Sequence, residues 1–213
     1  MSLAVLYESN GPIFSVLFLG LSLAAVGLII WRVIKNLRAR TNLDQYLEQL
    51  ERELQTSGGK GVYDLCQRQA VETEKVLPKV FFAALGQGRR GKVAARDAIA
   101  DTIETEIMPS LQRFLPHILL IAKIAPMVGL LGTVVGMIQA FQAIASMSKP
   151  DPASLADDIG LALFTTAEGL IIAIPVIFAY TLLRERVNQF EQELQKGAHA
   201  ALQFLPRVYD PRG

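Results

Sequence analysis

The chain has few of the residues on which most enzymes and disulfide-stapled proteins depend. Its 213 residues include one cysteine, Cys66, and two histidines, His117 and His199. A single thiol closes no disulfide within the chain, and two distant imidazoles make no dense metal-ligand cluster, so neither a metal nor another cofactor is expected. Cys66 reads as a small apolar residue on a helix. Charge of either sign is nearly balanced: 21 Lys and Arg against 20 Asp and Glu, formally +1. That balance removes the electrostatic case for nucleic acid as a partner. There is no Walker motif, no nucleophile elbow and no HExxH, so nothing argues for an enzyme.

Apolar residues are abundant. The chain is 51% hydrophobic, with a mean hydropathy of +0.33, and these residues are blocked into three runs. The first, Ile13 to Trp31, is uncharged and ends on a tryptophan, a residue favoured at membrane interfaces. No Lys or Arg precedes it and basic residues follow it, the reverse of a signal peptide, so it reads as a retained span. The second, Ile124 to Met147, has no charge and carries glycines around Thr133. The third, Ile159 to Leu183, has one charge, Glu168, and a hydroxyl pair, Thr165 and Thr166. Each matches the roughly 20 helical residues that cross a hydrocarbon core.

The second and third runs are richer in small residues than lipid requires. Gly129, Gly132, Thr133 and Gly136 fall on one helix face, as do Ala162, Thr166, Gly169 and Ala173. Such faces let helices pack closely or line a shared cavity, and the spacing leaves both open. Glu168 weighs towards the cavity, because an ionisable group in a span usually faces a bundle interior or water. It suits a proton-binding role; the alternative is a neutral or hydrogen-bonded carboxyl between helices. Thr165 shares a face with Glu168 and could hydrogen-bond it. Thr166 lies on another face, so the two threonines are expected to serve different surfaces. Pro126 and Pro175 each free a backbone carbonyl inside a span, for a kink or for gating. Lys123 reads as a snorkelling anchor at the start of the second span.

Flanking charges set an orientation. Arg32, Lys35, Arg38 and Arg40 follow the first run, Lys149 faces Asp151, Asp157 and Asp158 between the second and third, and Arg184 and Arg186 follow the third. The positive-inside rule places the N-terminus outside and the C-terminus inside. The expected layout is residues 1–12 outside, 13–31 first span, 32–117 internal helical loop, 118–147 second span, 148–158 outer loop, 159–183 third span and 184–213 internal helix and tail.

Within the internal loop, Thr41 and Asn42 resemble a helix N-cap, and Leu43, Leu47, Leu50 and Leu54 form a stripe that Gly58 and Gly59 interrupt. A second helix is expected over 61–85, with Val62, Leu65, Val71 and Phe81 among polar residues. GQGRRGK (86–92) reads as a solvated basic turn, and Ile99, Ile103 and Ile107 as a line leading through Pro109. Ser154 or Asp157 is the expected cap of the third span. Beyond Leu183 an amphipathic helix is expected, with Val187, Phe190 and Leu194 on one side and Pro206 and Pro211 ending it.

The block LLIAKIAPMVGLLGTVVGMIQAF, a short loop and LADDIGLALFTTAEGLIIAIPVIFAYTLL resemble the signature of the ExbB/TolQ/MotA proton-channel family. The clear likeness covers about residues 115–187. The three-span layout is similar to the ExbB and TolQ branch; the flagellar stator branch, with four spans, fits less well. The resemblance implies an all-α inner-membrane protein of bacteria and a homopentamer whose second and third helices ring a pore. That pore would hold a dimer of ExbD/TolR-like single-span partners bearing a protonatable aspartate, with a TonB- or TolA-like protein beyond. Thr133 and Thr166 would then face the pore and solvate that aspartate and the passing proton. Many relatives have a glutamate where this chain has Leu161; here the acid is Glu168, two turns on, about 10 Å along the axis. The rival readings are a passive membrane scaffold and a small-molecule transporter, the latter weakened by the lack of inverted repeats.

Overall fold

The computed structural model describes residues 3–146 and 152–209, with residues 3–12 described by their backbone alone. The described residues are helical with short connections. Helix α1 is Leu3–Ala39, α2 Leu43–Glu72, α3 Val76–Gln87, α4 Lys92–Thr102, α5 Met108–Gln112, α6 Leu115–Ser146 and α7 Pro152–Tyr209. A 3-10 turn, Gly88–Arg90, separates α3 from α4, and a π turn, Ile103–Ile107, separates α4 from α5. Among the described residues three helical stretches are long and apolar enough to cross a membrane: Ile13–Ala39, Lys92–Ser146 and Pro152–Tyr209.

The chain forms two compact units, residues 1–31 with 114–182 and residues 32–113 with 183–213. In the first, here the spanning unit, large apolar side chains point outward. Met127 is 68% exposed, Ile171 63% and Phe178 67%, while Gly129, Gly132, Ala162, Thr165 and Gly169 are buried. That pattern suits lipid, where apolar side chains gain nothing by leaving the surface. Pro126 lies inside α6, which runs through it unbroken, as α7 does through Pro175.

The second unit has a conventional apolar core. Asn42 caps α2, its side chain accepting from the amide of Asp44 at 3.0 Å. Gly58, at φ +67° and ψ −168°, leaves the helical region and divides α2 into two helical stretches across a kink. Leu50, Val62, Val80 and Phe81 are at most 1% exposed, and Val187, Phe190 and Leu194 of α7 are buried in this unit. Phe81 stacks edge-on to Tyr46 at 5.3 Å and lies 6.3 Å from Phe204. The Tyr46 hydroxyl and the Cys66 thiol meet at 3.4 Å. Burial pushes the thiol up to about 11 and raises the phenol as well.

Several expectations are corrected. The helix expected over 61–85 stops at Glu72 and restarts at Val76. Pro78 has no N–H for the carbonyl four residues back, so the chain restarts where Pro78 falls in a first turn. Pro206 does not end α7, which runs to Tyr209. The turn beyond it is held by Phe204 and Leu205 in the core, an Arg207–Glu51 ion pair and a hydrogen bond from the Tyr209 hydroxyl to the Leu85 carbonyl. Ser154 and Asp157 lie inside α7, which starts at Pro152, a residue already set for a first helical position. Met147, Lys149, Asp151 and Pro211 fall outside the described residues.

Candidate functional site

The candidate site is the face that α6 and α7 share. Four glycines set how closely the two helices approach, and two of them show why no other residue fits. A Cβ on Gly129 would lie 2.8 Å from the Thr165 carbonyl oxygen, and one on Gly169 only 2.5 Å from that of Ala125. Both contacts are with backbone, which cannot move aside. At Gly132 a Cβ would meet Thr165 Oγ1 at 2.7 Å, and at Gly136 the Ala162 Cβ at 2.8 Å. Ala162 and Ala173 are buried on the α7 side, at 4% and 2% exposure. Pro126 takes part in this approach: its Cα would lie 3.1 Å from a Cβ on Gly169.

The hydroxyls cross this seam. Thr165 is 4% exposed, and its Oγ1 donates to the Ala162 carbonyl at 2.7 Å and to that of Gly129 at 3.1 Å. A hydroxyl has one proton, so the two carbonyls share it. Thr133 Oγ1 faces the Ala162 carbonyl at 3.1 Å, that of Gly129 at 3.3 Å, and the Thr166 hydroxyl within hydrogen-bonding distance. If Thr133 donates to Ala162, Thr166 donates to Thr133. Both oxygens then keep a lone pair that can accept a further proton donor. Thr133 and Thr166 are half-buried, so this pair is less enclosed than Thr165.

The two threonines of α7 therefore do not serve different surfaces. Both meet α6, Thr165 at Gly129 and Gly132, Thr166 at Thr133 and Gly129. Their directions differ by about 100° on the helix. A glycine-lined neighbour comes near enough to meet both. Glu168 is half-exposed on α7, next to Gly169, and Leu161, two turns back, is 42% exposed. Among the described residues no cluster of His, Cys, Asp or Glu could hold a metal ion.

Sequence reasoning treated Arg32 only as part of a basic flank and passed over Asn36. Both are buried, at 1% and 9% exposure. Their four-residue spacing on α1 was the signal, and the charge count hid it.

The sequence matches the profile of the MotA/TolQ/ExbB proton channel family over residues 72–196, more than half of the chain, and the match includes the whole of the α6–α7 seam. Named relatives are similar over shorter stretches. The Tol-Pal system protein TolQ of Haemophilus influenzae is 39% identical over 84 residues, 39% of this chain and 37% of that protein. The biopolymer transport protein exbB1 of Vibrio cholerae is 46% identical over 65 residues, 30% and 28% of the two chains. TolQ of Pseudomonas aeruginosa is 37% identical over 96 residues, 42% of each. The matched stretches span less than half the length of these relatives. A glycine-set helix pair crossed by threonine hydroxyls, inside a stretch that this profile covers from end to end, leads to one conclusion: the chain belongs to the MotA/TolQ/ExbB proton channel family.

Proposed function

We propose that the chain is the channel-forming subunit of an inner-membrane motor of the ExbB/TolQ kind. It would work as a homopentamer, with α6 and α7 around a pore occupied by a dimer of ExbD/TolR-like single-span proteins. The proton-motive force would become mechanical work on an envelope process, TonB-type uptake or Tol-Pal-type maintenance, through a TonB- or TolA-like protein. The proposed orientation has the N-terminus in the periplasm and residues 32–117 and 184–213 in the cytoplasm. The observation that carries this reading is the hydroxyl pair of Thr133 and Thr166, half-buried and with acceptor capacity to spare. A protonated carboxyl entering beside it finds acceptors already in place, which lowers the cost of holding a proton carrier away from bulk water.

Within this proposal Thr133 and Thr166 touch the proton carrier, and Thr165 supports them by locking α7 to α6. Glu168 tunes proton access from the cytoplasmic side, at a depth about two turns from Leu161. Gly129, Gly132, Gly136, Ala162 and Gly169 set the helix spacing, and Pro126 and Pro175 give the two helices freedom to gate.

The alternative is a passive scaffold that anchors a periplasmic partner, supported by the same observation that every seam glycine is needed for packing alone. Thr133→Val and Thr166→Val separate the two. A channel subunit keeps its assembly and loses proton-dependent work, whereas a scaffold tolerates both changes. Glu168→Gln tests the access role: flux with an unchanged pH dependence would remove Glu168 from the pathway. Gentle purification from the native membrane tests the partner. A small single-span protein with an aspartate in its span supports the motor, and a chain that comes out alone does not.

A further inference from the structure

Among the described residues five buried side-chain polar atoms have no hydrogen-bond partner, and four of them belong to Arg32 and Asn36. These residues are four apart on α1, one turn along the same face. The guanidinium meets the protein through Nη1 alone, which donates to the Ser110 carbonyl at 3.4 Å. The edge left over is Nε with Nη2, the parallel pair of donors that grips a carboxylate or phosphate with two bonds. Both ends of the Asn36 amide are also unused. Buried groups of this kind are nearly always paired, and a buried charge most of all. Glu74, an acid at this end of α1, pairs instead with Lys35 at 2.7 Å.

The missing partner is therefore an oxyanion that can also offer a hydrogen-bond donor. A phosphodiester with a hydroxyl or ammonium headgroup meets all four atoms. Two of its oxygens fit the guanidinium edge, a third fits Asn36 Nδ2, and the headgroup donor fits Asn36 Oδ1. The source is indicated by the outer side of the same turns. Ile30 is 55% exposed, Val33 42%, Ile34 44% and Leu37 70%, so acyl chains have an apolar helix face to lie on at this level. Trp31 marks an interface, and exposed Arg38 and Arg40 add the positive charge that draws anionic headgroups. One long hydrogen bond holds the guanidinium inward, and its flexible stem lets it turn to a headgroup.

We propose that Arg32 and Asn36 bind a phosphate oxyanion, that of an anionic phospholipid in the surrounding bilayer, and that the inward guanidinium is the lipid-free arrangement. None of these residues lies on the α6–α7 seam, so the proposal stands apart from the channel reading.

The test uses the full chain in its assembled state, stripped of lipid in mild detergent. It is then offered phosphatidylglycerol, phosphatidylcholine of the same acyl chains, or inorganic phosphate. Native mass spectrometry counts retained lipid, and thermal unfolding reads stabilisation. The wild type is expected to retain phosphatidylglycerol preferentially and to melt higher with it. Arg32→Gln should lose about tenfold of that preference, the loss of one charge-assisted contact. Asn36→Asp guards against misfolding of the first variant: it gives Arg32 a carboxylate of its own, keeps the fold and should lose the lipid as well. Arg38→Gln should retain it. Equal retention of the two lipids, unchanged retention in Arg32→Gln or Asn36→Asp, or an equal loss in Arg38→Gln would overturn the proposal. Stabilisation by inorganic phosphate alone would assign the edge to a soluble phosphate and overturn the lipid.

Discussion

The spanning unit and the second unit use the same building material in opposite ways. In the second unit Phe81, Leu50 and Val80 are inside, and the charged side chains other than Arg32 are exposed or half-exposed. In the spanning unit Phe178 and Ile171 are outside, and glycine, alanine and threonine are inside. The difference follows from the solvent. Water drives large apolar groups together, at about 25 cal/mol per Å² buried, whereas lipid offers them no such reward. What then holds α6 to α7 is close backbone approach and hydroxyl-to-carbonyl bonds. These are weaker and more exacting terms, and they put hydroxyls on the seam in place of large apolar side chains.

Substitutions can break or sharpen that contrast. The largest effect is expected from matched phenylalanines. Phe81→Ala should cost about 3–5 kcal/mol in thermal or denaturant unfolding of the purified chain, because it empties a closed core. Phe178→Ala, 67% exposed, should cost less than about 1 kcal/mol in a bilayer or detergent. Equal costs would mean that Phe178 is covered by protein.

Alkaline pH should reach the second unit next. Its thiol is neutral in the fold, with Cys66 held up near 11 against an ordinary value of 9.0. Stability from this source is complete below about 9 and is lost as pH rises towards about 11, since the unfolded chain releases the proton first. Melting scans across that window should show a fall that Cys66→Ala reduces. Alkylation of Cys66 by iodoacetamide should be slow below it, and fast labelling at pH 8 would contradict the burial.

Glycines give a graded comparison within the spanning unit. Gly169→Ala should cost about 1–3 kcal/mol and loosen the assembly, since the new methyl meets the Ala125 carbonyl oxygen. Gly27→Ala, where nothing lies within 4 Å, should change stability by less than about 1 kcal/mol and in the favourable direction. A smaller loss than at Gly169 is expected at Thr165→Val, about 0.5–1.5 kcal/mol, because one shared hydroxyl bond disappears from a seam whose shape is kept. Gel filtration and melting of the two glycine variants and of Thr165→Val check this order.

The architecture was largely legible before the structure. Three apolar runs, the Asn42 cap and the stripes of α6 and α7 depend on local spacing, which sequence displays directly. The seam was half legible. The glycine face of α6 and the alanine–threonine face of α7 were readable as small, but which carbonyl each hydroxyl meets depends on the rotation of one helix against the other. Thr165 shows this: periodicity alone turned it away from Thr166's surface, and a glycine-lined α6 brought both to the same neighbour. Pro206 shows the converse. Its local rule says stop, and contacts made by Arg207 and Tyr209 with distant residues keep the helix going.

By itself the sequence determined how many helices could cross a membrane and which of their faces are small, because hydropathy and period are properties of neighbouring residues. Only the tertiary structure decided that the Thr133 and Thr166 hydroxyls meet, and that Arg32 turns inward a charged edge that meets no partner among the described residues. Those outcomes rest on residues far apart in the chain and on distances of a few tenths of an ångström, which no local pattern encodes.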